Sequence, residues 1–388
     1  MAVSVPSLAP QRASFGETWL YNRDWDLRFI SLSVVLVPIP YLVYLLLMNA
    51  EPLMGPLAAS FGTTVDDLSR NAINFMVAIL IGGPHMYATF SRTALDHDFK
   101  AKHQRLLLSS LGIPVLVISL AMLNLPLLLT VFFFWASIHV LHQMVFITEL
   151  YNKRQNQKSS LTLFSRIADY GVIMTALYPI GVWKMTQGNF IIGQHNVGAE
   201  VANLMAVFGL SMGPWMVWMA GGAFVVFLGM WIVATVQAYQ AGTIHWPKTV
   251  FVFLTVVASF FVPALGNLDT AFQGMNFWHS TQYLALTWML NNLRQERGEL
   301  QNSPFVERMS KDKTLRKFYW FNFSLMSVNL GLGFLIFGIL YVLAGQGFDY
   351  SFDRAYYVAV LSILWMHYYQ DHFLFTDPHV LTGAASRA

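Results

Sequence analysis

Cysteine is absent from all 388 residues. That excludes disulfides, iron–sulfur clusters and thiolate-ligated haem. Any metal has to be held by histidine, carboxylate, amide or water. Charge is the second shortage. Asp, Glu, Lys and Arg make up 11% of the chain, against roughly 25% in a soluble protein, too little to cover a water-facing surface. The N-terminal stretch, with Pro6, Pro10, Arg12, Glu17, Asp24 and Asp26, lacks the early apolar core of a signal peptide and is read as a cytoplasmic segment over 1–28. Internal repeats and low-complexity segments are missing too.

Apolar sequence fills the space. The hydrophobic fraction is 56% and the mean hydropathy +0.50. Ten runs are long enough to span a bilayer: 29–48, 72–92, 106–124, 126–149, 168–187, 213–239, 249–266, 270–292, 320–344 and 355–376. They predict an all-α, polytopic membrane bundle of about ten transmembrane helices, one domain over 29–376, with a cytoplasmic tail at 377–388. The third and fourth runs meet at Asn124-Leu125-Pro126, the seventh and eighth at Gly266-Asn267-Leu268-Asp269. With the N-terminus inside, 20 of the 23 Lys and Arg fall on inner segments; only Arg70, Lys184 and Arg354 fall outside. The positive-inside rule then puts both termini in the cytoplasm, and a bacterial plasma membrane is the expected location. The outer segments 51–70 and 188–213 are expected to form short surface helices. The net charge of +3 sits mostly in the inner loops, and no nucleic-acid partner follows from it.

Six histidines lie inside these apolar runs: His85, His139, His142, His279, His367 and His372. All are on even-numbered spans, which run from outside to inside. At 1.5 Å per residue they lie about 10 Å from the inner end for His85, about 15 Å for His142 and His367, about 20 Å for His139 and His279, and about 7 Å for His372. An ionisable or ligating residue in a bilayer is costly and marks function by default. His139 and His142 share a helical face, with Gln143 at i+4 from His139. His367 and Asp371 are i, i+4. Asn276, His279 and Gln282 form a polar stripe, and Gly82-Gly83-Pro84 precedes His85, which shares a face with Thr89 and Arg92. His97 and His103 sit in an inner loop that could fold under such a site, although a solvated loop is the simpler reading. His195, His245 and His379 stand apart and are left out.

Several imidazoles plus a carboxylate suit iron, zinc, manganese or copper, with iron favoured when oxygen is activated. The six histidines are therefore the candidate metal ligands, Asp371 and Glu149 the candidate catalytic carboxylates, and Gln143, Asn276 and Gln282 residues that orient the ligands. In site style the chain resembles the integral-membrane, histidine-rich non-haem iron oxygenases, a class that includes fatty-acid desaturases and hydroxylases and bacterial carotenoid-cleaving dioxygenases. It departs from the desaturase boxes: only His139-x-x-His142 and His367-x4-His372 occur, with no adjacent His-His pair. A distribution of single histidines across helices is closer to the four-histidine site of the carotenoid dioxygenases. The resemblance implies iron, molecular oxygen as co-substrate, a lipophilic substrate taken from membrane lipid, and a soluble electron donor docking on the basic segment 294–317.

Two other classes compete. A haem protein would use single histidines from facing helices, and a proton- or metal-coupled transporter would suit ten helices and a break at Gly82-Gly83-Pro84. A retinal Schiff base needs a lysine within a span, and only Lys184 comes near one.

Overall fold

The computed structural model describes residues 19–156, 162–311 and 314–376. Most of the segment 1–28 and the whole tail 377–388, His379 included, lie outside the described residues. In chain order the helices are α1 (Arg23–Met48), α2 (Glu51–Phe61), α3 (Val65–Ser91), α4 (His97–Lys102), α5 (Gln104–Leu123), α6 (Leu125–Asn156), α7 (Leu163–Thr175), α8 (Tyr178–Thr186), α9 (Val197–Val207), α10 (Pro214–Gln240), α11 (Trp246–Ala264), α12 (Leu268–Glu296), α13 (Pro304–Met309), α14 (Leu315–Leu343) and α15 (Phe348–Leu374). A two-residue antiparallel pair, β1 (Ile191–Ile192) with β2 (His195–Asn196), is the sheet present among the described residues.

Seven helices (α1, α3, α5, α6, α10, α11 and α14) are long and apolar enough to cross a membrane. They correspond to seven of the ten apolar runs. The fifth run is two helices, α7 and α8, with Pro179 in the first turn of α8, where it removes a donor from the ladder. The eighth and tenth runs are α12 and α15, of 29 and 27 residues, and their composition is too polar for that set. The excess polarity is turned inward: α12 and α15 bury most of their length. By contrast α10 buries 6% of its apolar stretch and α14 17%, as suits helices whose outer faces meet lipid.

Local chemistry sets the helix starts. Thr64 caps α3, accepting from the Asp67 amide, and Asn267 caps α12, accepting from Thr270. Within α3 the ladder widens to a π turn over Ala78–Gly82 just before Pro84. Pro84 cannot donate to the carbonyl four residues back, and the Tyr319 hydroxyl fills that place by donating to the Leu80 carbonyl at 2.6 Å. Two glycines let backbones approach. A Cβ on Gly83 would lie 2.0 Å from Met326 Cγ, and one on Gly274 would lie 1.9 Å from the Val37 carbonyl oxygen.

The apolar core has two main parts. One gathers Ile30, Leu141, Phe251, Trp278 and Met289 from α1, α6, α11 and α12. The other gathers Met86, Val117, Leu128, Met326 and Trp365 from α3, α5, α6, α14 and α15. The site lies at the seam between them.

Candidate metal centre

Four helices each bring one histidine to the seam: His85 from α3, His139 from α6, His279 from α12 and His367 from α15. Their rings form a closed circuit, with centroids 5.0 Å apart for His85–His279, 5.1 Å for His279–His139, 4.8 Å for His139–His367 and 4.7 Å for His367–His85. All four are buried. One ring nitrogen from each of His85, His279 and His367 lies within 4.8 Å of the others, and the same holds for His139, His367 and an Asp371 carboxylate oxygen. An ion with metal–nitrogen bonds of about 2.1 Å would draw such a set together by shifts of roughly an ångström.

The chemistry of the free atoms fits a metal. His85 Nε2, His139 Nε2, both ring nitrogens of His279, His367 Nε2 and Asp371 Oδ2 are buried with no hydrogen-bond partner among the described residues. Each such buried polar atom costs about 1–3 kcal/mol, a cost that an ion held between them would offset. The opposite edges of two rings are tied down. His85 Nδ1 lies 2.9 Å from Ser280 Oγ, and His367 Nδ1 lies 2.5 Å from Thr89 Oγ1. Ligating histidines are normally anchored through the second nitrogen in this way. Thr89 Oγ1 and Tyr283 Oη both donate to Asp371 Oδ1, at 3.1 and 2.6 Å. That leaves Oδ2 toward His367 Nδ1 at 3.4 Å and His139 Nε2 at 3.9 Å. Tyr368 stacks on His139 with centroids 4.1 Å apart.

The other residues expected at the site divide. His142, half-buried, and His372, exposed, face each other at 5.8 Å as a separate pair. The Phe375 ring stands between that pair and the circuit, 5.3 Å from His142 and 5.6 Å from His139. Glu149 is not brought to the histidines. It lies ten residues beyond His139, about 15 Å along α6, paired with Arg166 at 3.0 Å and Lys153 at 4.0 Å and accepting from the Tyr170 hydroxyl. Charged neighbours on α6 and α7 claim it before it can reach the seam. Gln143 donates to the His279 carbonyl at 3.1 Å and to Gln282 at 3.3 Å, and Gln282 donates to the Ile30 carbonyl at 2.6 Å, so this pair ties α6, α12 and α1 together. His97 is exposed on α4, and His103 packs on Phe99 at 4.4 Å; neither joins the circuit.

Ser280, Tyr283 and Phe375 were not singled out from sequence. The spacing Asn276/Ser280 and His279/Tyr283, both i, i+4, was the signal for the first two; Phe375 gave none. A further feature links the site to the far end of α12. There the buried Arg70 meets Asp67 at 3.1 Å, Asp269 at 3.4 Å and Asp353 at 3.9 Å. From Asp269 a file of side chains runs through Asn74, Gln273, Asn276 and Ser280 to His85.

No protein-family model, no characterised protein and no solved structure matches the chain. The site therefore has to be read from its own chemistry.

Proposed function

We propose that this protein is a multi-pass membrane oxidoreductase of about ten spans, termini cytoplasmic, in a bacterial plasma membrane. In this reading His85, His139, His279 and His367, with Asp371 beside them, hold an iron ion in the inner half of the bundle. The observation that carries it is the clustering of ligand atoms, one from each of His85, His279 and His367 within 4.8 Å of one another, and likewise one from each of His139, His367 and Asp371. Iron held by imidazole and carboxylate with positions left open supplies oxygen activation. The protein's part is to hold Asp371 by Thr89 and Tyr283, to fix the rings through Ser280 and Thr89, and to exclude water with Tyr368 and Phe375.

A lipophilic substrate fits the surroundings. An apolar pocket between α6, α8, α11 and α12 is lined by Phe133, Phe134, Tyr178, Met185, Phe190 and Phe272, among others. Phe133 and Phe272 precede His139 and His279 by six and seven residues, about 9–11 Å along their helices. The open space there is about 40 Å³, so an acyl or isoprenoid chain would have to part these side chains to reach toward the rings, for hydroxylation, desaturation or oxidative cleavage. The basic segment 294–317 offers an electron carrier a docking face. A haem is disfavoured, because the closed circuit of rings leaves no slot for a macrocycle between any two of them. Transport is the second reading, favoured by the break in the α3 ladder at Ala78–Gly82 just before Pro84.

Elemental analysis of detergent-purified protein, paired with lipid extracts from a deletion strain and its parent, tests the proposal. Stoichiometric iron and a lipid changed by one oxygen or two hydrogens are expected. Protein free of metal, with an unchanged lipid profile and altered solute uptake, would hand the case to the transporter.

A further inference from the structure

The file from the Arg70 cluster to His85 has one polarity. Asn74 Nδ2 donates to Asp269 Oδ2 at 3.1 Å, and Gln273 Nε2 donates to Asn74 Oδ1 at 2.9 Å. Asn276 Nδ2 donates to Gln273 Oε1 at 3.2 Å, and Ser280 Oγ donates to Asn276 Oδ1 at 3.1 Å. Every donor points toward Asp269. The order follows from one end. An ionised carboxylate beside an arginine only accepts, so Asn74 must turn its NH2 toward Asp269. That leaves the Asn74 oxygen facing Gln273, which must then donate, and the same constraint passes to Asn276 and to Ser280. The single proton of Ser280 is thereby committed to Asn276, and its oxygen is left to accept from His85 Nδ1.

We propose that Asp269, eleven residues and about 16 Å along α12 from Ser280, sets the tautomer of His85. It holds the proton on Nδ1 and presents the Nε2 lone pair to the ring circuit. Asp269, Asn74, Gln273, Asn276 and Ser280 are then positioning residues, and Arg70 is the clamp that keeps the far end an acceptor. A proton path is a poor alternative use for this file, since each of its three amides would have to pass through an imidic acid to carry a proton. The purpose of the tautomer, readying Nε2 for a metal, rests on the metal reading above; the tautomer itself does not. A local alternative also exists: the carbonyls of Ile81 and Gly82 lie beside the same ring and would favour the same proton position unaided.

Nitrogen NMR of metal-free, histidine-labelled protein reads the tautomer directly, with the His85 signal assigned by its loss in His85→Gln. Wild type is expected to carry the proton on Nδ1. Asp269→Leu removes the acceptor at that end, and Gln273→Leu cuts the file; both should bring in the Nε2-protonated form. Asp269→Glu should restore the wild-type signal. Cobalt(II) titration of the same proteins should show binding weakened about tenfold in the first two variants, at the lower end of what losing a ligand's anchoring partner costs. If Gln273→Leu does not fold, Asp269→Leu decides the matter alone. An unchanged tautomer in the folded variants would assign the ring to the Ile81 and Gly82 carbonyls and overturn the proposal. Wild-type protein that binds no cobalt, but whose His85 tautomer responds to Asp269→Leu, would support the file and sink the metal reading separately.

Discussion

Within the ring circuit, both ring nitrogens of His279 are buried with no hydrogen-bond partner among the described residues. A histidine kept for structure would be expected to use at least one of them. Its removal should therefore cost the metal-free protein little beyond the packing it leaves, while abolishing metal uptake. Bound metal at a hundred times its dissociation constant adds about 2.7 kcal/mol to stability, so iron(II) or cobalt(II) should raise the thermal midpoint of wild type, and a chelator should reverse it. His279→Ala should lose that response. His142→Ala should keep it, because His142 faces His372 across Phe375 and not the circuit. Equal responses in the two variants would place the ligands elsewhere.

Two of the four helices that bring a histidine to the seam, α12 and α15, fall outside the set apolar enough to span a membrane. α12 and α15 are polar because their inward faces hold Asp269, Gln273, Asn276, His279, Gln282, His367 and Asp371, and each of these needs a partner within the protein when lipid surrounds it. Their positions depend on close backbone approach. α12 meets the Val37 carbonyl at Gly274, where any Cβ would sit 1.9 Å from an oxygen that belongs to backbone and cannot swing away. Gly274→Ala should lower stability in detergent by about 1–3 kcal/mol and reduce metal content with it, by shifting His279 five residues on. Gly229→Ala, on the peripheral α10 with no heavy atom near the added carbon, should lose nothing. Chemical or thermal unfolding of the pair measures the contrast.

Across the whole molecule, the distribution of positive charge predicts an orientation for the bundle. Because the chain has no cysteine, single cysteines can be introduced and labelled without background. Lys100→Cys and Gln301→Cys, both exposed, fall on segments that the charge bias predicts to be inner. Gln187→Cys and Gln346→Cys, also exposed, fall on segments predicted to be outer. A membrane-impermeant maleimide should label the second pair in intact cells and the first only after permeabilisation. Labelling of Lys100→Cys from outside would invert the orientation, and with it the leaflet assigned to the histidines.

Sequence alone determined that the chain is helical and apolar, that thiolate chemistry is closed to it, and that its spans carry histidine where a bilayer penalises it. Those properties reside in composition and in runs of single residues, and a linear reading reaches them. It also placed the helical hairpin at Asn124 and the turn at Gly266-Asn267, because tight connections leave a local signature. What tertiary structure decided was selection among like residues. Nothing in the sequence separates His139 from His142, three residues apart on one helix; only the direction of α12 and α15 turns one toward three other imidazoles and leaves the other to His372. Glu149 and Asp371 were equivalent as carboxylates until Arg166 and Lys153 claimed the first, while Thr89 and Tyr283 oriented the second. The file from Asp269 to His85 lies mostly along α12 but passes through α3 at Asn74 and ends on it at His85, so its order exists only once those helices are side by side. Its polarity was legible at neither end alone, because a hydrogen-bond direction passes from one group to the next only through contact.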